Sequence, residues 1–205
     1  VNRFLFSQTA ATMSGRTLAW TIAVSAVFPI GCGSQKPAPV GGSIGERVMA
    51  VTIKSSAFGP GHAIPKQYTG DGKDLSPPLE WSGIPPGTKE LALICDDPDA
   101  PTAEPWVHWV LYKIPPSTSV LPEGQPTSAT LKEPAGALQG KNSWARIGYG
   151  GPAPPKGHGT HHYHFKLYAL DSGLDLPPAV DKKSLLNAMQ GHVLAEGELV
   201  GTYQR

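Results

Sequence analysis

Short apolar runs broken by glycine- and proline-rich stretches set the pattern from residue 48 onward. The runs at 48–54, 91–95, 107–114, 163–170 and 198–203 have the length and β-branched or aromatic content of strands. Turn-forming residues fill 69–72, 82–87, 98–105 and 148–159 between them. A helical period emerges only at 182–190, where Asp181 is placed to cap the first turn. Leu185, Leu186 and Met189 form its apolar face, and Gly191 ends it. The pattern predicts a mostly β domain: an antiparallel β-sandwich with one or two short helices and long functional loops gathered at one end. No internal repeat is visible.

Composition sharpens this picture. Glycine (24) and proline (22) make up about a fifth of the 205 residues, which suits short strands and long loops better than a helical bundle. Lysine and arginine (17) balance aspartate and glutamate (16), leaving a formal charge of +1. That balance offers no cationic surface for a phosphate backbone, so a nucleic-acid partner is not expected. Cys95 closes an apolar run and reads as a small buried hydrophobe. With only Cys32 besides it, a disulfide framework is not expected.

The N-terminal segment reads as a targeting sequence. Residues 1–31 carry Arg3 and Arg16, no acidic residue, and an apolar run over 18–30 that is too short and proline-interrupted for a membrane span. Met13 is an alternative start to Val1, since 13–32 is itself a complete short signal. The end, Pro29-Ile30-Gly31-Cys32, resembles the bacterial lipobox, with Pro29 where leucine is usual. The expected organisation is a lipoprotein-type signal over 1–31, a flexible tether over 32–47 and a domain over 48–205. A lipid on Cys32 would hold the exported domain at a membrane. A plain signal peptide would instead release a secreted, soluble domain.

Strand parity locates candidate chemistry. Tyr163, Phe165, Leu167 and Ala169 alternate on an apolar face, and His161 is in phase with them, whereas His162 and His164 point the other way. Leu91, Leu93 and Cys95 share a parity with Asp97. His108 shares one with Val110, Tyr112 and Ile114. Each of three strands therefore places one polar residue, Asp97, His108 or His161, on an apolar face. A carboxylate beside two imidazoles would fix their tautomers, favour their protonation and make a compact anion site. The alternative is three separately satisfied core groups. His158, in a glycine-rich loop between Gly157 and Gly159, is expected to be almost silent on mutation.

Four ordered segments carry a family resemblance. They are Asp96-Asp97-Pro98-Asp99-Ala100-Pro101, Trp106-Val107-His108-Trp109-Val110, 148–157 with His161-His162-Tyr163, and the closing 195–203. Together they resemble the signature regions of the phosphatidylethanolamine-binding, or Raf kinase inhibitor protein-like, family, the last being similar to its bacterial branch. The resemblance implies a β-sandwich with a small pocket for phosphate or a phospholipid head group at one end. It implies Asp97, His108, His161 and Tyr163 as the polar wall, and Trp106, Gly151, Pro154 and Pro155 as the rim. It also implies a cis bond at Ala100–Pro101. The chain departs from the family by His162, where many members have arginine. It also ends soon after the last strand, without the helix that covers the mammalian pocket, so a more open pocket is expected.

The function expected is therefore ligand binding, with no cofactor and no metal. A protein partner, such as an inhibited protease or kinase, is the alternative. A hydrolase fits less well. No Gly-x-Ser-x-Gly elbow is present, and the neighbourhoods of Ser143 and Ser172 offer no clear nucleophile. The opposed parities of His161, His162 and His164 argue against a converging zinc site.

Overall fold

All eight residues of strand β4 (Glu90–Asp97) are buried, which is why Leu91–Cys95 runs apolar instead of alternating, with acidic residues only at its ends. The computed structural model describes residues 49–205. Around β4 lie β1 (Met49–Ala50), β2 (Thr52–Lys54), β3 (Leu79–Ser82), β5 (Trp106–Ile114), β6 (Val120–Leu121), β7 (Leu138–Gln139), β8 (His161–Leu170), β9 (Val193–Tyr203) and helix α1 (Lys182–Met189). One sheet has the order β1-β9-β8-β4-β5-β7 and the other β2-β3-β6. Pairing is antiparallel except between β1 and β9. The sandwich expected from the sequence is the fold observed.

Two cores flank the large sheet. One face packs Leu93, Trp109, Phe165 and Leu167 with Ile53, Leu79 and Trp81 of the small sheet. The other packs Ala92, Ile94, Val110 and Tyr112 with Leu174 and with Leu185 and Met189 of α1. Asp181 caps α1 by accepting the Ser184 N–H at 2.8 Å, and Leu186 lies half-buried at the edge of this second core. A single 3-10 turn at Lys66–Tyr68 is the other helical element among the described residues. Burial pushes the Cys95 thiol well above its usual range, in keeping with a packing role.

The segment expected as one strand over 48–54 is two strands in different sheets. β1 joins β9, and β2 joins β3. The chain changes sheet at Val51, whose N–H donates to the Glu196 carbonyl at 2.9 Å. The last strand begins earlier than expected, at Val193, because Glu196 and Gly197 interrupt the apolar pattern without interrupting the ladder.

β5 corrects the parity expected for His108. Cys95 pairs with Trp109, but Asp96 pairs with Val107, so His108 is an extra residue. A second shift follows at the far end, where Leu91 pairs with Ile114 and Lys113 sits at φ 53°. Each bulge inserts one residue and reverses the faces beyond it. Val110 and Tyr112 consequently pack in the α1 core, while Ile114 packs in the sandwich and His108 contacts Tyr163 on the sandwich side. Among the described residues, no helix is long and apolar enough to cross a membrane. The expected signal and tether, with Cys32, lie outside the described residues.

Candidate anion-binding site

The adjacent strands β8, β4 and β5 bring together the end of β4 and the starts of its two neighbours. Asp97 is therefore a sheet neighbour of Trp106, while His161 and Tyr163 arrive from β8. These residues and His108 line a cleft of about 220 Å³, together with Pro101, Trp144, Pro154 and Pro155. Asp97, His108 and His161 are each at most 3% exposed.

The two imidazoles are held differently. His161 Nδ1 lies 2.7 Å from Asp97 Oδ2, and Asp97 Oδ1 accepts the Asp99 N–H at 2.8 Å. His108 does not bond Asp97, contrary to the expected carboxylate between two rings. The bulge directs its Nδ1–H to the Gly150 carbonyl at 2.6 Å, and Gly150 N–H returns a bond of 2.9 Å to the His108 carbonyl. A carbonyl partner requires the proton on Nδ1, which leaves Nε2 as the other ring nitrogen. Burial depresses the His108 pKa, outweighing the Gly150 bond and the nearby Asp97 and Asp96 charges. The ring stands edge-on to Tyr163 and Trp144, with centroids 5.0 and 5.2 Å away.

Two buried donors in the cleft lining have no hydrogen-bond partner among the described residues, Tyr163 Oη–H and Trp106 Nε1–H. Buried polar groups are normally paired, so such a pair of orphans marks a place where a ligand can supply acceptors. Burial and the Asp97 charge push the Tyr163 phenol upward, keeping it a donor at neutral pH.

The loops are braced from outside. Arg205 forms an ion pair with Asp71, and its Nη1 donates to the Ala153 and Pro154 carbonyls at 3.4 and 3.3 Å. Arg205 holds the Asp71 carboxyl down at about 2, and Tyr203 Oη–H adds a bond of 2.9 Å. Gly151 does not face the cleft. Its N–H donates to Asp74 Oδ1 at 2.6 Å, and a Cβ there would stand 2.6 Å from the Tyr68 carbonyl. Its part in the rim is to permit this close approach. The Ala100–Pro101 bond is trans, correcting the expected cis bond; the cis peptide found is Glu133–Pro134. Thr102 N–H donates to the Ala100 carbonyl at 2.7 Å, a three-residue turn whose central φ suits a trans-linked proline.

The remaining histidines separate from the cleft in different ways. His162 is exposed, and both its N–H and its Nδ1 lie 2.7–2.8 Å from Asp99 Oδ2. Burial raises the Asp99 carboxyl, but these His162 contacts outweigh it and lower the net value. His164 pairs with Glu198 at 2.8 Å on the outer sheet face. His158 is not the isolated loop residue expected. Its Nδ1 is 3.0 Å from His161 Nε2, because Gly157 at φ 76° and Gly159 at φ 87° turn the loop back onto β8. Among the described residues, no group of three or more His, Cys, Asp or Glu side chains is arranged to hold a metal ion. Ser143 Oγ accepts the Val107 N–H, and Ser172 Oγ–H donates to the Gly173 carbonyl, so neither is paired with a histidine. Sequence reasoning missed Trp144, Gly150, Asp71 and Arg205. An apolar tryptophan in a polar loop was the one available signal.

Comparison with known proteins places the sequence and the fold. The family model for phosphatidylethanolamine-binding protein matches residues 54–204. The protein PH1269 of Pyrococcus horikoshii, grouped as UPF0098, is 45% identical over 184 residues, covering 90% of this chain and 87% of its own. A Mycobacterium tuberculosis protein named as a candidate lipoprotein, LppC, is 41% identical over 154 residues, covering 75% and 72%. The crystal structure of the phosphatidylethanolamine-binding protein homologue CT736 from Chlamydia trachomatis superposes with a TM-score of 0.68. It is 41% identical and covers 76% of this chain and 98% of its own. With 151 consecutive residues matched by the family model and a related fold in CT736, the chain belongs to the phosphatidylethanolamine-binding protein family.

Proposed function

We propose that the cleft binds a small phosphate-type anion, either free or as the head group of a phospholipid, and that the protein acts by binding instead of catalysis. The observation that carries this reading is the pair of buried donors without partners, Tyr163 Oη–H and Trp106 Nε1–H, beside His108 and the Asp97–His161 pair. A phosphate offers several acceptors to such donors and favours the protonated form of a neighbouring imidazole. Asp97, His108, His161 and Tyr163 form the polar wall in this reading. Trp106, Pro154 and Pro155 shape the mouth, and Gly151 positions the loop.

The pH dependence follows from His108. Its folded pKa is lowered, so the unfolded chain binds more protons in the window below its ordinary value near 6.5. Stability is thus fully present above that value and is lost as pH falls through the lowered one. A bound anion pulls the pKa back up, so binding takes up a proton and affinity falls as pH rises. Titration calorimetry with inorganic phosphate and with phosphoethanolamine, between about pH 5.5 and 8.5, tests this. His161→Ala and Tyr163→Phe should each weaken binding by roughly 1–3 kcal/mol, the scale of a charge-assisted hydrogen bond. His164→Ala should do little, since it faces away and pairs with Glu198. Equal losses from His164→Ala and His161→Ala, or an affinity flat with pH, would overturn the reading in favour of a protein partner on the loops.

Membrane anchoring through a lipid on Cys32 belongs to the same proposal. It is supported by the lipobox-like sequence and by the name of the mycobacterial relative. Cys32→Ser should move the folded domain from the membrane fraction to the soluble one, and wild-type protein that is soluble and unmodified would sink it.

A further inference from the structure

Both ring nitrogens of His161 are already engaged. Nδ1 is 2.7 Å from the Asp97 carboxylate, and Nε2 is 3.0 Å from His158 Nδ1. With its Nδ1–H given to Asp97, a neutral His161 presents Nε2 as an acceptor, and His158 fills it with its own Nδ1–H. An anion in the cleft can hydrogen-bond to His161 only at Nε2, and only after that contact is broken.

His158 is placed to let go. Its side chain does not line the cleft but approaches His161 from the solvent side, in an exposed segment. Gly157 and Gly159 flank it in the left-handed region, and a Cβ at either would meet nothing within 4 Å. The ring can therefore swing out by changes at these two glycines, at the cost of the 3.3 Å bond from Gly157 N–H to the Arg205 carbonyl, without disturbing β8. Pro155, whose carbonyl accepts the His158 N–H at 3.2 Å, also forms part of the cleft mouth, so cap and mouth share one short loop.

We propose that His158 is an internal cap on His161, holding Nε2 in the empty cleft and giving it up when a phosphate-bearing ligand enters. This rests on the anion-binding reading above. The cap competes with the ligand, so the affinity measured for the intact protein is lower than the cleft alone would give. Its removal exposes an Nε2 already oriented by Asp97, which accepts the P–OH proton of a monoanionic phosphate or, once it has taken up that proton, donates to the phosphate oxygen.

The test uses the domain labelled with nitrogen-15 and inorganic phosphate as the probe. In the free protein, NMR should show a nitrogen–nitrogen coupling across the His158–His161 hydrogen bond, and saturating phosphate should abolish it. Calorimetry should find that His158→Ala binds phosphate about two- to tenfold more tightly than the wild type, the worth of one neutral hydrogen bond. A coupling that survives saturation, or a His158→Ala variant that binds equally or more weakly, overturns the cap and leaves the anion site standing. Failure of both wild type and His158→Ala to bind phosphate or phosphoethanolamine overturns the anion site, and the cap with it.

Discussion

Replacing Gly197 with alanine should cost about 3 kcal/mol of stability, at the upper end of what an overpacked methyl group does. A Cβ there would sit 2.0 Å from the Val51 carbonyl oxygen, which is backbone and cannot rotate away. The clash falls where the chain passes from β1 to β2, next to the Val51 N–H bond to Glu196. Relieving it means pulling the crossover off β9 and loosening the junction of the two sheets. Scanning calorimetry should find the melting temperature lowered by roughly 6–12 °C for a domain of this size. An unchanged melting temperature would show that the crossover yields easily and that the sheets are joined elsewhere.

Asp97→Ala should remove ligand binding and destabilise the domain together. The carboxylate satisfies His161 Nδ1 and the Asp99 N–H from inside the protein, and its loss leaves a buried imidazole nitrogen unpaired. Leaving such a donor unsatisfied costs about 1–3 kcal/mol, and the Asp99 turn adds to it. Phosphate affinity should fall at least tenfold, because His161 loses the partner that orients it. Asp97→Asn separates the two effects. Its amide oxygen can still accept from His161, so most of the stability should return, while the negative charge beside the ring is gone. If Asp97→Ala melted and bound phosphate like the wild type, the pair would be a satisfied core contact without a role in the cleft.

How far the sequence could be read depended on where regular geometry broke. β4 and β8 were legible because buried strands produce apolar runs and strict alternation, and that alternation placed His161, Tyr163 and Asp97 on one face. β3, β6 and β7 are two to four residues long, too short for periodicity to register. His108 was assigned to the site through a parity that does not hold, since β5 carries one bulge at His108 and another between Leu111 and Ile114. It reaches the cleft because the bulge carries it there, and no one-dimensional pattern reports an inserted residue. Asp71 with Arg205 and His158 with His161 are contacts made by loops, whose partners depend on the turns taken between them. The family motifs drew attention to the right loops, but not to the residues bracing them from behind.

The central place of β4 has a kinetic consequence. Its amides pair with β5 on one side and β8 on the other, and both faces are covered, so water reaches them only when the whole domain opens. Their hydrogen exchange reports global stability, while the loops of the cleft exchange through small local openings. A ligand that binds only the folded state must slow β4 by the full binding free energy at its working concentration, however far those amides lie from the contact. The strand thus serves as a gauge inside the molecule against which a weak or unlabelled ligand can be weighed.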